Sequence, residues 1–377
     1  MQPIGIYVHI PFCVKKCGYC GFNSLVANSA GQIKAYLKAL FLDIQLSAKN
    51  RQAFAVESIY IGGGTPSILE AKDIAHIIAE IKQCFPVARE SEITIEVNPA
   101  SVSRQKLLEY KKSGINRISM GVQSFKPKNL KFLGRAHSAL DVFKALKMLK
   151  NLEFNNISID LIYGLPDQSL KDWEDDLNQF IDCELSHLSL YDLTIEKGTP
   201  FYEIKNTLLI ADNDLQALMY KKADGLLKKN QFNHYEISSF AKKGRQSKHN
   251  LIYWNNLDYI GLGAGAYSYI NRQRFSKAND LYLYEQQAKK NKFEHYDSEK
   301  LSLVKLMQET LILRLRLLKG FRLKDIENKL NHKIRQDSMN ILNEFVRQGF
   351  ILLHNNHYKL SKKGLLQYDT IASELLS

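Results

Sequence analysis

Tyr7-Val8-His9-Ile10-Pro11-Phe12-Cys13-Val14-Lys15-Lys16-Cys17-Gly18-Tyr19-Cys20 runs a β-rich segment straight into three cysteines spaced Cys-x3-Cys-x2-Cys. Residues 4–10 are dominated by Ile, Val and Tyr, as in a strand buried within a parallel sheet. Outward from there the same grammar repeats. Strand-like runs fall at 58–62, 92–97, 117–122, 158–163 and 187–193, separated by helical stretches near 30–49, 70–84, 103–113, 126–150 and 169–182. Ser103 and Ser169 stand where N-caps belong. Repeated strand–helix units predict an α/β fold with a parallel sheet, and six of them suggest a partial (β/α)6 TIM-type barrel. Periodicity alone leaves a doubly wound open sheet as the alternative.

Residues 1–240 are expected to form this barrel unit. Residues 241–300, aromatic and rich in glycine, read as a connecting segment, and beyond 301 the pattern changes. Helical runs at 301–318, 323–330 and 337–348 precede a hairpin at 351–360 and a last helix, which predicts a smaller C-terminal winged-helix-like α+β domain over 301–377.

Among 377 residues there are only five cysteines, and three of them crowd into the opening loop. An odd number so clustered suits metal chemistry in a reducing, cytoplasmic setting better than a disulfide framework. Cys84 and Cys183 stand alone in apolar surroundings and read as inert core residues. No apolar run reaches the ~18 residues of a membrane span. The first residues read as a strand rather than a signal peptide. Lys and Arg outnumber Asp and Glu by 52 to 39, a formal charge of +13, which fits nucleic acid, an anionic membrane or an acidic ligand equally well.

Three thiolates at this spacing can wrap one corner of a cubane [4Fe–4S] cluster and leave one iron open. An open iron can be chelated by the amino and carboxylate groups of S-adenosylmethionine, whose reduction yields a 5′-deoxyadenosyl radical. A structural zinc site with His9 as fourth ligand is the competing reading, although zinc more often takes paired Cys-x2-Cys knuckles. Gly62-Gly63-Gly64-Thr65-Pro66 follows the second strand, at the barrel end that carries the cysteine loop. Glycines there allow a ligand close to the backbone, or simply make a tight turn.

The run from Tyr7 to Cys13, the cysteine loop and the GGGTP segment resemble the radical SAM superfamily, and within it the branch of oxygen-independent coproporphyrinogen III dehydrogenase. The resemblance continues through 95–99, 117–125, 133–135, 160–166 and 249–268, nearly the whole chain. It implies a partial barrel with a smaller C-terminal domain. It also implies a [4Fe–4S] cluster on Cys13, Cys17 and Cys20. For S-adenosylmethionine it implies Tyr7 and Tyr19 beside the cofactor, Gly63, Gly64 and Thr65 at its amino group, and Glu96, Gln123, Arg135 and Asp160 at its ribose and carboxylate. The residue types suit those tasks, since acidic groups accept from ribose hydroxyls and Arg pairs with a carboxylate through a planar fork.

Two activities of this branch compete: radical decarboxylation of two propionates of coproporphyrinogen III, and haem chaperoning, in which haem is bound and passed to haem-dependent, respiratory client proteins. The dehydrogenase pattern has a fourth cysteine where this chain has Phe22, and a longer segment before the first cysteine than the twelve residues here. His249-Asn250-Leu251-Ile252-Tyr253-Trp254 matches the HNxxYW motif that the resemblance associates with haem binding. The reading is therefore a cytoplasmic haem chaperone without dehydrogenase activity. His249 is expected to ligate the iron, with Asn250, Tyr253 and Trp254 shaping the pocket; His9 and His137 are alternative ligands.

Gly18 and Gly21 depart from the family's Pro and Asp, and two glycines should loosen the loop. Gly261-Leu262-Gly263-Ala264-Gly265-Ala266 imitates a dinucleotide fingerprint, but the aromatic run after it does not read as the required helix. The basic residues of the tail, among them Lys324, Lys329, Arg335 and Lys363, are not concentrated on the third helix, so no nucleic-acid partner is expected. The positive charge fits instead the haem propionates or peripheral contact with the inner face of an anionic membrane.

Overall fold

Ile4, Ile6, Val8 and Ile10 are fully buried on one side of the first strand, while Gly5, Tyr7 and His9 alternate on the other. That alternation sets up the architecture. The computed structural model describes residues 2–49 and 54–376; residues 1 and 377, the ends of the expected units, lie outside it. Six strands lead in chain order: β1 (Gln2–Ile10), β2 (Phe54–Gly63), β3 (Val87–Val97), β4 (Arg117–Gln123), β5 (Ile157–Tyr163) and β6 (His187–Asp192). Next come β7 (Asn233–Glu236), β8 (Ser239–Ala241), β9 (Tyr259–Leu262), β10 (Tyr267–Ile270), β11 (Gln273–Ser276) and β12 (Tyr296–Lys300).

Among the described residues these form one 12-stranded sheet, ordered β12-β11-β10-β9-β1-β2-β3-β4-β5-β6-β8-β7. From β9 through β1 to β6 every pairing is parallel, and the flanking strands are antiparallel. β1 to β6 neighbour one another in chain order without a reversal. A doubly wound sheet requires such a reversal, so the partial barrel stands and the open-sheet alternative falls. The expected connecting segment 241–300 supplies β9 to β12 of this same sheet, and β9 pairs with β1. After β9 the chain turns into antiparallel β10 rather than a helix, which leaves no βαβ unit for a dinucleotide.

The helices α1 (Ala30–Ala48), α2 (Ala71–Cys84) and α3 (Arg104–Ser113) cover the outside. The single helix expected over 126–150 is two, α4 (Pro127–Leu133) and α5 (Ala139–Asn151). Gly134, at φ 71°, ends the first in a left-handed cap, and Ser138 with Asp141 forms a capping box that starts the second. Breaking the helix there places Arg135 in a loop at the barrel mouth. Next follow α6 (Leu170–Asp182), α7 (Asn213–Lys229), α8 (Lys248–Trp254), α9 (Leu281–Lys289) and α10 (Leu303–Arg316). No helix among the described residues is long and apolar enough to cross a membrane.

A buried ionic knot ties α1 to the far edge of the barrel. Asp43 accepts from Lys277 Nζ at 2.5 Å, Tyr284 OH at 2.8 Å and the Gly263 N–H at 3.0 Å. Removing one partner of such a pair leaves a buried charge uncompensated, which costs about 3–5 kcal/mol. The C-terminal residues form a three-stranded antiparallel sheet of Phe321–Arg322, His357–Leu360 and Ile351–His354. Helices Leu323–Leu330, Gln336–Arg347 and Tyr368–Leu376 pack around a second core that includes Leu311, Leu315, Leu342, Ile351 and Ile371. This is a winged-helix-like α+β arrangement.

Candidate functional site: the three-cysteine cavity

The cysteine loop is pinned by backbone. The Gly64 N–H donates to the Ile10 carbonyl and the Thr65 N–H to the Phe12 carbonyl, each at 2.8 Å. A Cβ on Gly64 would stand 2.6 Å from the Phe12 oxygen and 2.9 Å from Cys13 Sγ, so only glycine lets the end of β2 reach the first thiol. Thr65 Oγ1 donates to Cys13 Sγ at 3.6 Å and Arg135 Nη1 to Cys17 Sγ at 3.4 Å. Both contacts hold the sulfurs in place at the cavity mouth.

A cavity of about 600 Å³ opens behind these thiols. It brings together Cys13, Cys17, Cys20, Tyr19, Gly63, Gly64, Thr65, Glu96, Gln123, Arg135 and Asp160. Gln123 sits at φ 72° beyond a register shift in β4, a left-handed backbone for a residue other than glycine. Gly121 leaves room for both its amide and the Arg135 guanidinium, which bonds the Gly121 carbonyl at 2.6 Å. Glu96 accepts from Tyr60 OH at 2.8 Å and the Gly63 N–H at 3.1 Å. Burial pushes its carboxyl up to about 7, against the pull of the Tyr60 bond and with a further rise from Asp160. Burial likewise raises Asp160 to about 6, opposed by a Ser189 hydrogen bond and by Arg117 and Arg135. A second cavity, of about 420 Å³ between α5 and α6, contains none of the predicted residues.

Tyr7 is not among the lining residues. Its hydroxyl meets His9 Nδ1 at 2.9 Å, and its ring stacks at 6.3 Å on Tyr60, which does line the cavity. Of the HNxxYW residues Asn250 reaches the cavity, whereas His249 lies behind it, 1% exposed. The imidazole is held on both nitrogens, Nδ1 by Ser58 Oγ and Nε2 by Tyr253 OH, each at 2.8 Å. Burial, and then Arg117, lower its pKa to about 3, so it is neutral. Trp254 packs under the Arg316 guanidinium at 4.2 Å. His9 is also engaged on both nitrogens, by Tyr7 OH and by the Asn23 carbonyl at 2.8 Å, which leaves the zinc reading without its fourth ligand. His137 bonds the Val122 carbonyl at 3.1 Å through Nε2, while its buried Nδ1 has no partner.

Sequence reasoning missed the floor. Arg117, 2% exposed, lines the cavity with its Nε and Nη1 unpartnered. Beside it two matching chains occur: Ser58–His249–Tyr253, and Ser158–His187–Tyr235 with contacts of 2.7 and 2.9 Å. The available signal was an arginine in phase with Ser119, Gly121 and Gln123, on the small or polar side of a strand whose other side is Ile118, Met120 and Val122.

The residues present fit a cluster and its nucleotide-bearing partner. Three thiols face one cavity, and in a cubane each binds a different iron, so they need not converge on one point. Arg135 Nε, Arg117 Nε and Ser24 Oγ are buried polar atoms there without partners. Gly18 and Gly21 do not simply loosen the loop. A Cβ at Gly18 would run into the Phe201 ring and one at Gly21 into the Glu196 carboxylate, while the Phe201 N–H bonds the Gly18 carbonyl at 2.9 Å. The segment after β6 occupies the space that two missing side chains leave.

An unclosed parallel barrel with a glycine-pinned three-cysteine loop at its mouth defines the radical SAM class. Residues 7–180 match the family model "Radical SAM superfamily" and 301–366 match "HemN C-terminal domain". Proteins called "Heme chaperone HemW" are similar to this chain: that of Lactococcus lactis is 34% identical and covers 96% of this chain and 94% of its own. That of Bacillus subtilis is 34% identical over 93% and 92%, and that of Escherichia coli 39% over 71% and 70%. The solved structure of coproporphyrinogen III oxidase (HemN) from Escherichia coli superposes with a TM-score of 0.86 at 22% identity, covering 100% of this chain and 90% of that one, a likeness of fold. The chain belongs to the HemW family of the radical SAM superfamily, and with that membership go a [4Fe–4S] cluster and S-adenosylmethionine.

Two outcomes follow from the geometry. Gly18→Ala drives a Cβ into the buried Phe201 ring, an overpacking cost of about 1–3 kcal/mol. Iron retained per chain after anaerobic reconstitution should fall, and Phe201→Leu in the same chain should restore part of it. Glu96 sets a pH dependence in the cofactor-free protein. Its folded pKa of about 7 lies above the ordinary 4.5, so between those values the unfolded chain sheds a proton that the fold retains. Stability therefore falls as pH rises through that window. Urea denaturation of Glu96→Gln against the wild type should shift in favour of the variant from pH 5 to pH 8, by up to about 3 kcal/mol.

Proposed function

We propose that this protein is a haem chaperone that binds haem and hands it to haem-dependent, respiratory client proteins. One observation carries the reading: relatives with that name match at 34% identity from end to end, covering 96% of this chain and 94% of theirs. The absence of a fourth cysteine at exposed Phe22 supports it against a coproporphyrinogen dehydrogenase. In this reading Cys13, Cys17 and Cys20 hold the cluster. Tyr19, Gly63, Gly64, Thr65, Glu96, Gln123, Arg135 and Asp160 seat S-adenosylmethionine, with Tyr7 acting through Tyr60. When bound, the cluster and S-adenosylmethionine supply one-electron chemistry at the cavity.

The chain's own groups prepare that site. Arg135 and Thr65 donate to the Cys17 and Cys13 sulfurs, which orients both ligands before loading. Glu96 and Asp160, whose carboxyls burial raises to about 7 and about 6, would release their protons to solvent when a cationic ligand enters, leaving carboxylates that balance its charge. Arg117 beneath them keeps the cavity floor from becoming a purely acidic pit. The HNxxYW residues His249, Asn250, Tyr253 and Trp254 belong to the haem function in this reading. As it stands, His249 offers iron no free nitrogen, so ligation requires the hydrogen bond on one of its two nitrogens to open.

Anaerobic reconstitution followed by parallel assays of haem binding and coproporphyrinogen decarboxylation tests the proposal. Stable haem binding without decarboxylation is expected, and decarboxylation without stable haem binding would overturn it. A cytoplasmic site of action, with peripheral contact to an anionic membrane, completes the proposal. Lys242, Lys243, Arg245 and Lys248 cluster around the turn from β8 into α8 and are the contact residues proposed. Neutralising them should abolish co-sedimentation with phosphatidylglycerol vesicles at low salt; unchanged sedimentation would remove the membrane from the account.

A further inference from the structure

The helix α8 has one end at the cavity and the other in the C-terminal unit. At its start Ser247 Oγ accepts from the Asn250 N–H at 3.3 Å, and the Glu92 carboxylate accepts from the N–H groups of Lys248 and His249 at 3.1 and 3.2 Å. Asn250 then lines the cavity. Beyond its last turn, Asn255 Oδ1 accepts from Arg314 Nη1 at 2.5 Å and Asn256 Nδ2 donates to Thr310 Oγ1 at 2.9 Å. Trp254 carries the Arg316 guanidinium on its face. Arg314, Thr310 and Arg316 all stand on α10, the first helix of the C-terminal unit. Arg316 continues to Glu236 at 3.0 Å and to Ser238 at 3.0 Å, back beside the barrel.

Between these ends runs a chain of tightly held side chains. Glu96, on the cavity wall, is bonded by Tyr60 OH at 2.8 Å. The Tyr60 ring stacks on His249 with centroids 5.1 Å apart and planes 29° from parallel. His249 is clamped by Ser58 on one nitrogen and Tyr253 on the other. A Cβ on Gly5 would come within 3.3 Å of the imidazole, so β1 presses on the ring as well. Tyr253 in turn meets Tyr259 edge-on at 4.6 Å. In so closely packed and fully bonded a row, a shift of Glu96 or Tyr60 cannot be absorbed where it arises.

We propose that Ser58, His249 and Tyr253 are positioning residues that transmit occupancy of the three-cysteine cavity to α10 and the C-terminal unit. In this coupling the imidazole acts through its two hydrogen bonds and its stacked face. The inference rests on the reading that the cavity takes S-adenosylmethionine, and the test separates the two.

Hydrogen exchange by mass spectrometry is measured on the full-length, reconstituted protein with and without S-adenosylmethionine, for the wild type, Tyr253→Phe and Ser58→Ala. Tyr253→Phe removes one hydroxyl and keeps the ring, and Ser58→Ala cuts the other bond should the first variant fold poorly. The expected result is protection of residues 58–65 and 94–98 in all three proteins, with a change in 303–316 in the wild type that the variants lose. Protection at the cavity without any response in α10, or an α10 response that survives both variants, overturns the coupling while the cofactor reading stands. No protection at the cavity in the wild type overturns both. A His249→Ala variant that loses the axial-ligand signature of bound haem but keeps the α10 response shows the ring to be a haem ligand, and the proposal fails.

Discussion

Two backbone hydrogen bonds, from the Gly64 N–H to the Ile10 carbonyl and from the Thr65 N–H to the Phe12 carbonyl, tie the end of the second strand to the chain just past the first. They add to the pairing of Phe12–Cys13 with Leu25–Val26 and the Phe201 N–H bond to the Gly18 carbonyl, which hold the rest of the loop. With them Cys13 Sγ is fixed against the glycines, Thr65 reaches that sulfur, and Gly63 turns its N–H toward Glu96. The constraint is steric before it is chemical: the strand ends approach so closely that any side chain at 64 would collide with backbone. Cavity wall, thiol placement and the orientation of Glu96 all follow from that approach.

Below the mouth the interior is polar where most barrels are filled with aliphatic layers. Glu96, Asp160, Arg117, His187 and His249 are all enclosed, and burying charge without partners is expensive. The molecule meets this in three ways. Carboxyls hold protons close to neutrality, imidazoles stay neutral, and serine and tyrosine hydroxyls close each histidine on both sides. Arg117 remains the exception, its Nε and Nη1 unmatched at the cavity floor. Such a core is less stabilising than an aliphatic one, and it commits the barrel to a polar, charged ligand.

Much of this was legible in the chain. Alternating strands and helices gave the parallel barrel because buried parallel strands have a composition that helices do not share. The cysteine spacing and the GGGTP segment pointed to one mouth because strand ends of a barrel share a face. The break at Gly134 was missed, since a helical pattern runs through it and only the left-handed cap and the Ser138 box divide it. Gly18 and Gly21 read as loosened positions because their fillers, Phe201 and Glu196, lie about 180 residues away.

Local features were therefore decided by sequence alone: which segment is strand, where the cysteine loop begins, where a glycine permits close approach. These depend on neighbours within a few positions. What only the tertiary structure decided is where the partners of those residues come from. His249 read as a haem ligand beside aromatic residues, and the fold holds it as a buried ring between Ser58 and Tyr253, with a strand 191 residues earlier brought beneath it. Arg117 read as the first residue of a strand and of the 117–125 resemblance, with no role of its own, and became the charge at the cavity floor because β4 turns alternate side chains inward. Burial and hydrogen-bond partnership are properties of contact, and contacts between distant segments have no trace in spacing.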